Sequence, residues 1–181
     1  MVNETGIITD LRDAKIYKTI KIGHQVWMAE NLAYDAKNLP RSSIDNMCTY
    51  NDEGINVKKY GYLYNSYFAN KVCLINVGWK LPTEDDFRYL VHTLGGEGKG
   101  AYNSIIQNRV GGFSASLAGI CTRHNSFLHE GMYGYYLSSS QYPDEAGRIW
   151  CLRVNGFDNK VNMWSEREDS MMSIRCLSYS F

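Results

Sequence analysis

The final third of the chain never sustains an apolar pattern long enough to make a helix. From Phe113 onward it breaks into short apolar or aromatic runs, Phe113 to Thr122, Tyr133 to Ser140, Arg148 to Val154, Lys160 to Trp164 and Met171 to Leu177, separated by turn residues. Runs of that length between turn residues are how strands announce themselves, so this third predicts a meandering sheet. The opening of the chain carries the same signal. Between Lys15 and Ile22, Ile16, Ile20 and Ile22 alternate with polar residues, Gly23 and His24 interrupt the run, and Gln25 to Met28 resumes it, which predicts a hairpin-like start.

The period changes in the middle. Tyr60, Leu63, Tyr64, Tyr67 and Phe68 recur at three- and four-residue intervals, which predicts one face of a short helix over Tyr60 to Val72. A second helix is predicted where Thr83 can cap the free amides ahead of Glu84, Asp85 and Asp86. There Phe87, Leu90, Val91 and Leu94 form a buried stripe before Gly95 and Gly96 end it. Ala36 to Lys59 is rich in Asn, Asp, Ser and charge and reads as a long irregular loop, and the Gly-rich stretch up to Gly112 is poorly patterned. Strands at both ends and helices between them give an α+β architecture, a twisted antiparallel sheet with two short helices and long irregular loops, in which the two ends of the chain share one sheet. With 44% apolar residues and no repeat or linker, residues 1–181 are expected to form a single domain.

Charge narrows the function. Nineteen basic residues balance nineteen acidic ones, so no long-range field draws in nucleic acid or an anionic membrane. No window approaches the roughly twenty consecutive apolar residues that a membrane-spanning helix needs. Met1 to Asp10 lacks the basic and apolar regions of an export signal, and Met1 followed by Val2 and Asn3 is read as the start left once such a signal has been trimmed away. The five cysteines, Cys48, Cys73, Cys121, Cys151 and Cys176, form neither a CxxC pair nor a zinc-spaced cluster, so neither a metal nor another cofactor is expected.

Segments spread along the chain resemble one family, in that family's order. Lys18 to Leu32, KTIKIGHQVWMAENL, is similar to its opening strand, Gly turn and Trp-Met-Ala-Glu-Asn-Leu. Tyr60 to Asn65, YGYLYN, precedes Gly78 to Phe87, GWKLPTEDDF, which is similar to its Gly-Trp helix-start block. Gly112 to Ala118, GFSASLA, leads to Tyr133 to Gln141, YGYYLSSSQ, and Ser173 to Leu177, SIRCL, closes the match. From about residue 7 to residue 178 the chain resembles the Fibrobacter succinogenes major paralogous domain. The resemblance, together with Leu81 to Glu84 and the Ile-Arg-Cys strand, implies a C-type-lectin-like fold of the type seen in formylglycine-generating enzymes.

The resemblance also implies a disulfide between Cys73 and Cys176, since both lie in matching blocks. Closing a loop of about 100 residues contributes roughly 4 to 5 kcal/mol by chain entropy. The alternative is a pair of buried thiols in a reducing compartment, and Cys121 and Cys151, on neighbouring predicted strands, could form another bridge. Where the family has a second loop cysteine before the Tyr-Gly pair, Val57 stands here, so Cys48 lacks that partner in the sequence. The segment from Gly98 to Gly111 also departs from the family's variable insertion, which removes any borrowed ligand preference.

Several constellations are weak as chemistry. A cysteine nucleophile would need His92, His124 or His129 beside it, and none lies in a protease signature. Gly95 to Gly100, GGEGKG, follows a helix, and no strand precedes it as a phosphate cradle requires. Glu84, Asp85 and Asp86 are expected in any helix's first turn. Asp144, Glu145, Asp158, Asn159 and Asn162 offer oxygens for calcium without a lectin calcium signature. Tyr133, Tyr135, Tyr136, Tyr142 and Trp164 fall near predicted strand ends. Of these, Tyr135, Tyr142 and Trp164 with Arg123 and Asn159 are the candidate ligand contacts, because amphipathic rings beside polar groups suit a saccharide or protein surface. The expectation is a secreted or cell-surface, non-catalytic binding module for a glycan or protein partner. The alternatives are an enzyme related to the formylglycine-generating group, with Cys151 reactive, and a structural component of a surface appendage.

Overall fold

The computed structural model describes residues 4–36, 47–73, 78–106 and 112–179. Met1 to Asn3, most of the stretch from Ala36 to Met47 and the end of the Gly98 to Gly111 segment lie outside them. The first strands, β1 (Thr5–Thr9), β2 (Ile16–Ile22) and β3 (Gln25–Met28), form an antiparallel meander, and β11 (Leu177–Ser178) pairs with β3, giving the sheet order β1-β2-β3-β11. The two ends of the chain therefore meet in one sheet, as the pattern predicts. A second antiparallel sheet is built from β8 (Tyr133–Gln141), β9 (Arg148–Asn155) and β10 (Lys160–Arg167), with β9 central. Two small hairpins complete the strands: β4 (Met47–Cys48) with β5 (Leu63–Tyr64), and β6 (Ile120–Cys121) with β7 (Phe127–Leu128). The fold is α+β with several antiparallel sheets, where the sequence predicts one.

Among the described residues four short α-helices stand where the sequence predicts two: α1 (Asn56–Tyr60), α2 (Ser66–Val72), α3 (Glu84–Thr93) and α4 (Lys99–Ile105). The run from Tyr60 to Val72 divides, because Gly61 at φ 72° ends α1 and Leu63–Tyr64 then extends to pair with β4. A Cβ on Gly61 would stand 2.5 Å from the Leu32 carbonyl oxygen, so the tight approach of these two segments requires glycine. Asn65 opens α2 by accepting from the Phe68 amide. The predicted irregular loop between Ala36 and Lys59 contains β4, a short 3-10 turn at Tyr50–Asp52 and α1. In the Gly-rich stretch α4 forms although it has no side-chain cap, because Ala101 and Ile105 pack beneath it. No helix among the described residues is long and apolar enough to cross a membrane.

β3 is buried on both faces, which explains why Val26, Trp27 and Met28 run on without a polar residue between them. Val26, Met28 and Cys176 enter one core with Phe68, Ala69, Val72 and Leu137, while Trp27, Ile20 and Leu177 enter the other with Phe87, Leu90, Leu152 and Val161. Trp27 is fully buried. Its ring lies 5.4 Å from Phe87 and 5.5 Å from Phe113, and its indole N–H donates to Gln25 Oε1 at 3.0 Å, which satisfies its polar atom. A disulfide joins Cys73, at the end of α2, to Cys176 beside β11.

The closing segment also buries a cation. Arg175 donates from Nε to Asn31 Oδ1 at 2.6 Å, from Nη1 to the carbonyls of Met28 and Phe113, and from Nη2 to the Ser114 carbonyl at 2.8 Å. Asn31 in turn donates to the Tyr60 carbonyl and to the hydroxyls of Ser116 and Ser173. Burial lowers the guanidinium's pKa, the oxygens that accept from it are neutral, and the nearby Glu30 carboxylate opposes part of the shift. Asn31→Ala leaves the charged Nε–H unmet in the interior and is expected to cost about 2 to 3 kcal/mol in urea unfolding. An unchanged midpoint would show that this network carries no stability.

Asp86 caps α3 reciprocally with Thr83, and its carboxylate also faces Lys80 at 3.0 Å and the Tyr179 hydroxyl. Burial alone would raise its pKa. Hydrogen bonds from Tyr179, the Thr83 amide and Lys80 outweigh that and hold the carboxyl below its ordinary value. A folded pKa below the unfolded one, near 4, means that this stabilisation is complete above about pH 4 and is lost as the pH falls through the folded value. Asp86→Asn is therefore expected to flatten the acid limb of a stability–pH curve measured by urea midpoints. An acid limb as steep in the variant as in the parent would exclude this assignment.

Candidate functional site

The register of the second sheet sets three rows side by side on one face: Tyr133, Asn155 and Lys160; Tyr135, Arg153 and Asn162; Leu137, Cys151 and Trp164. The β8 end of those rows is covered by α2 and its core, whereas β10 is the edge strand and leaves Trp164 38% exposed. The Arg153 guanidinium lies 3.7 Å from the centroid of the Trp164 ring and 5.8 Å from that of Tyr133. Asn162 Oδ1 steadies it at 3.4 Å, and the Trp164 indole N–H donates to Glu166 at 3.1 Å. His129, in the left-handed region at φ 70°, adds its ring 5.0 Å from Tyr133, and its Nδ1 is 3.1 Å from the Tyr135 hydroxyl. The result is a strip of stacked rings and one planar cation, edged by an amide and a carboxylate. Such a surface stacks flat apolar faces and hydrogen-bonds their polar rims.

The five predicted contacts do not come together. Tyr135 and Trp164 share this face, but Tyr135 is 3% exposed and backs the strip from beneath. Asn159 sits in the β9–β10 turn at φ 54°, just beyond the row ending in Lys160. Tyr142 lies at the other end of the sheet, edge-on to Trp150 at 4.8 Å, and Arg123 stands in the β6–β7 turn, 3.9 Å from Asp169. Arg153, His129 and Asn162 are the members that the sequence reading missed. The alternation within β9 and β10 puts Arg153 and Asn162 on the face of Cys151 and Trp164, but which strands are neighbours, and in what register, is not written in either run.

The Fibrobacter succinogenes major domain family matches residues 20–178. The chain belongs to that family. Comparison with curated proteins and with solved structures finds no match. The family match takes in both halves of the Asn31–Arg175 network and both sulfurs of the Cys73–Cys176 bridge.

Other candidate groups are occupied in structural ways. Cys121 and Cys151 are not bridged, since Cys151 lies in the core under α2 and Cys121 in a separate cluster with Tyr50, Leu63 and Met171. A helix, α4, does begin in the GGEGKG stretch, which reads as poorly patterned in the sequence. Its glycine amides are nevertheless spent on backbone carbonyls, Gly95 on His92, Gly96 on Val91 and Gly98 on Val161. The calcium candidates do not converge: Asp144 and Glu145 lie in one turn and Asp158 and Asn159 in the turn at the opposite end of the sheet, where Glu145 meets Arg148 and Asp158 accepts from Asn155, while Asn162 stands within β10.

Within the family scaffold, burial pushes the Cys151 thiol far above its ordinary pKa, so thiolate is scarce at neutral pH. Native-state alkylation at pH 8 is expected to leave Cys151 unmodified and to label it once the chain is unfolded, as read by peptide mass mapping. Rapid native labelling of Cys151 would restore it as a reactive centre.

Proposed function

We propose that this chain is a non-catalytic binding module of a secreted or cell-surface protein, on a C-type-lectin-like scaffold, that holds a saccharide against the Trp164–Arg153 strip. The observation that carries the reading is the half-open Trp164 ring with the Arg153 guanidinium stacked on it, on an edge strand where α2 does not cover the sheet. Support for the scaffold comes from the closing strand paired beside the opening meander and from the short helices packed around the two sheets. The disulfide supports an oxidising, extracytoplasmic setting. A protein partner is the other occupant that this surface suits, since aromatic and arginine side chains anchor protein interfaces as well.

A second reading, as a structural piece of a surface appendage, draws on the two sheet-edge strands. β1 is terminal in its sheet with Ile7 70% exposed, and β10 is terminal in the other. That reading expects self-association and no small ligand.

Screening against a glycan array, followed by titration of the strongest hit, separates the two. Trp164→Ala is expected to weaken saccharide binding by about tenfold or more, the size of one lost aromatic stack. Binding that persists unchanged in Trp164→Ala, or sedimentation showing oligomers with no glycan hit, would overturn the strip as the site.

A further inference from the structure

Between β2, the residues that follow β3, α1 and the segment Ser114–Ser116 the fold leaves a cleft of about 650 Å³, and no residue of the aromatic strip lines it. Its charged lining is lopsided: Lys15, Lys18, Lys58, Lys59 and Arg175 stand against Glu30 alone, in a chain whose net charge is zero. Internal ion pairs cancel only part of this. Lys15 is matched by Asp13 at 3.2 Å and Lys59 by Glu130 at 3.4 Å, whereas Lys18 and Lys58 make no ion pair among the described residues. Arg175 donates to neutral oxygens and is opposed electrostatically by Glu30, so the positive charge left over at the opening belongs to Lys18 and Lys58.

The remaining lining narrows the ligand. The hydroxyls of Ser114 and Ser116 offer hydrogen-bonding partners, the Ser116 oxygen while also accepting from Asn31, and Ile16 and Val57 offer C–H surface. The volume far exceeds a bare inorganic anion and falls in the range of small-molecule sites. We infer that this cleft binds a sugar acid of about disaccharide size, its carboxylate drawn to Lys18 and Lys58 and its hydroxyls to the serine side of the cleft. A hydroxyl-free diacid would leave that polar wall unanswered, and a neutral sugar would leave the cations unanswered. The inference is independent of the aromatic strip.

Isothermal titration of the disulfide-intact chain with digalacturonate, its neutral disaccharide counterpart and succinate tests it. Digalacturonate is expected to bind at least about tenfold more tightly than either of the others and to weaken as salt is raised, because the attraction is screened. The double substitution Lys18→Glu and Lys58→Glu should abolish its binding. Both lysines are exposed, so the variant is expected to keep the parent's circular dichroism spectrum. Equal affinity for the neutral sugar or for succinate, no binding of digalacturonate, or binding that the folded double variant keeps would each overturn the site. Binding that is lost in Trp164→Ala but kept in the double variant would also overturn it and would assign the ligand to the strip.

Discussion

A buried guanidinium that donates to neutral oxygens and not to a carboxylate is an expensive thing to fold around, and this fold is arranged to meet it. Arg175 reaches the end of β3, the side chain of Asn31 and the Phe113–Ser114 backbone at once, and through Asn31 it also touches Tyr60, Ser116 and Ser173. These segments come from the start, the middle and the end of the chain. No single ladder joins these segments, and the carbonyls that Arg175 reaches would be orphans in the interior without a multi-armed donor. The guanidinium, with five N–H groups in a fixed plane, satisfies several carbonyls at one point, which lysine could not do with the same geometry.

That node lets the two sheets be short. Each main sheet contributes one face to each core, and the cores run past both sheets, so neither sheet has to close on itself or lie on a long helix. Connections that look irregular in sequence are then held by isolated bridges: Tyr64 to Met172, Lys80 to Leu177, Cys121 to Met171 and Tyr136 to Ser173. The segment from Met171 to Leu177 is the hub of these bridges. It reads as a strand in the sequence, and the structure gives it a strand's extended backbone while dividing its partners among several elements.

The same division sets what a reader of the sequence can see. Thr83, its three following acids and the Phe87–Leu90–Val91 stripe identify α3 because a cap and a period are both local. The hairpin opening and the α+β class are legible for the same reason. The break at Gly61 is not, since the aromatic spacing on either side continues and only the neighbouring Leu32 carbonyl makes the turn necessary. Helix α4 is hidden by its glycines and is stabilised by what lies beneath it. At the candidate site, Trp164 and Tyr135 are visible as aromatic residues in strands. Their burial difference, and the room for Arg153 to stack on Trp164, depend on α2 covering β8 and stopping short of β10.

The disulfide has a mechanical meaning as well as a thermodynamic one. The opening strands and β11 share a sheet, so tension applied through the ends of this domain enters at that sheet. Once β11 peels from β3, the load arriving from the C-terminal side passes at Cys176 across a covalent bond into Cys73 at the end of α2. The stretch between the two cysteines, which stand 103 positions apart, includes α3, α4 and the whole sheet bearing Trp164 and is thereby taken out of the path of the force. A domain wired in this way can be stretched at its margin while the surface proposed to hold a ligand stays folded.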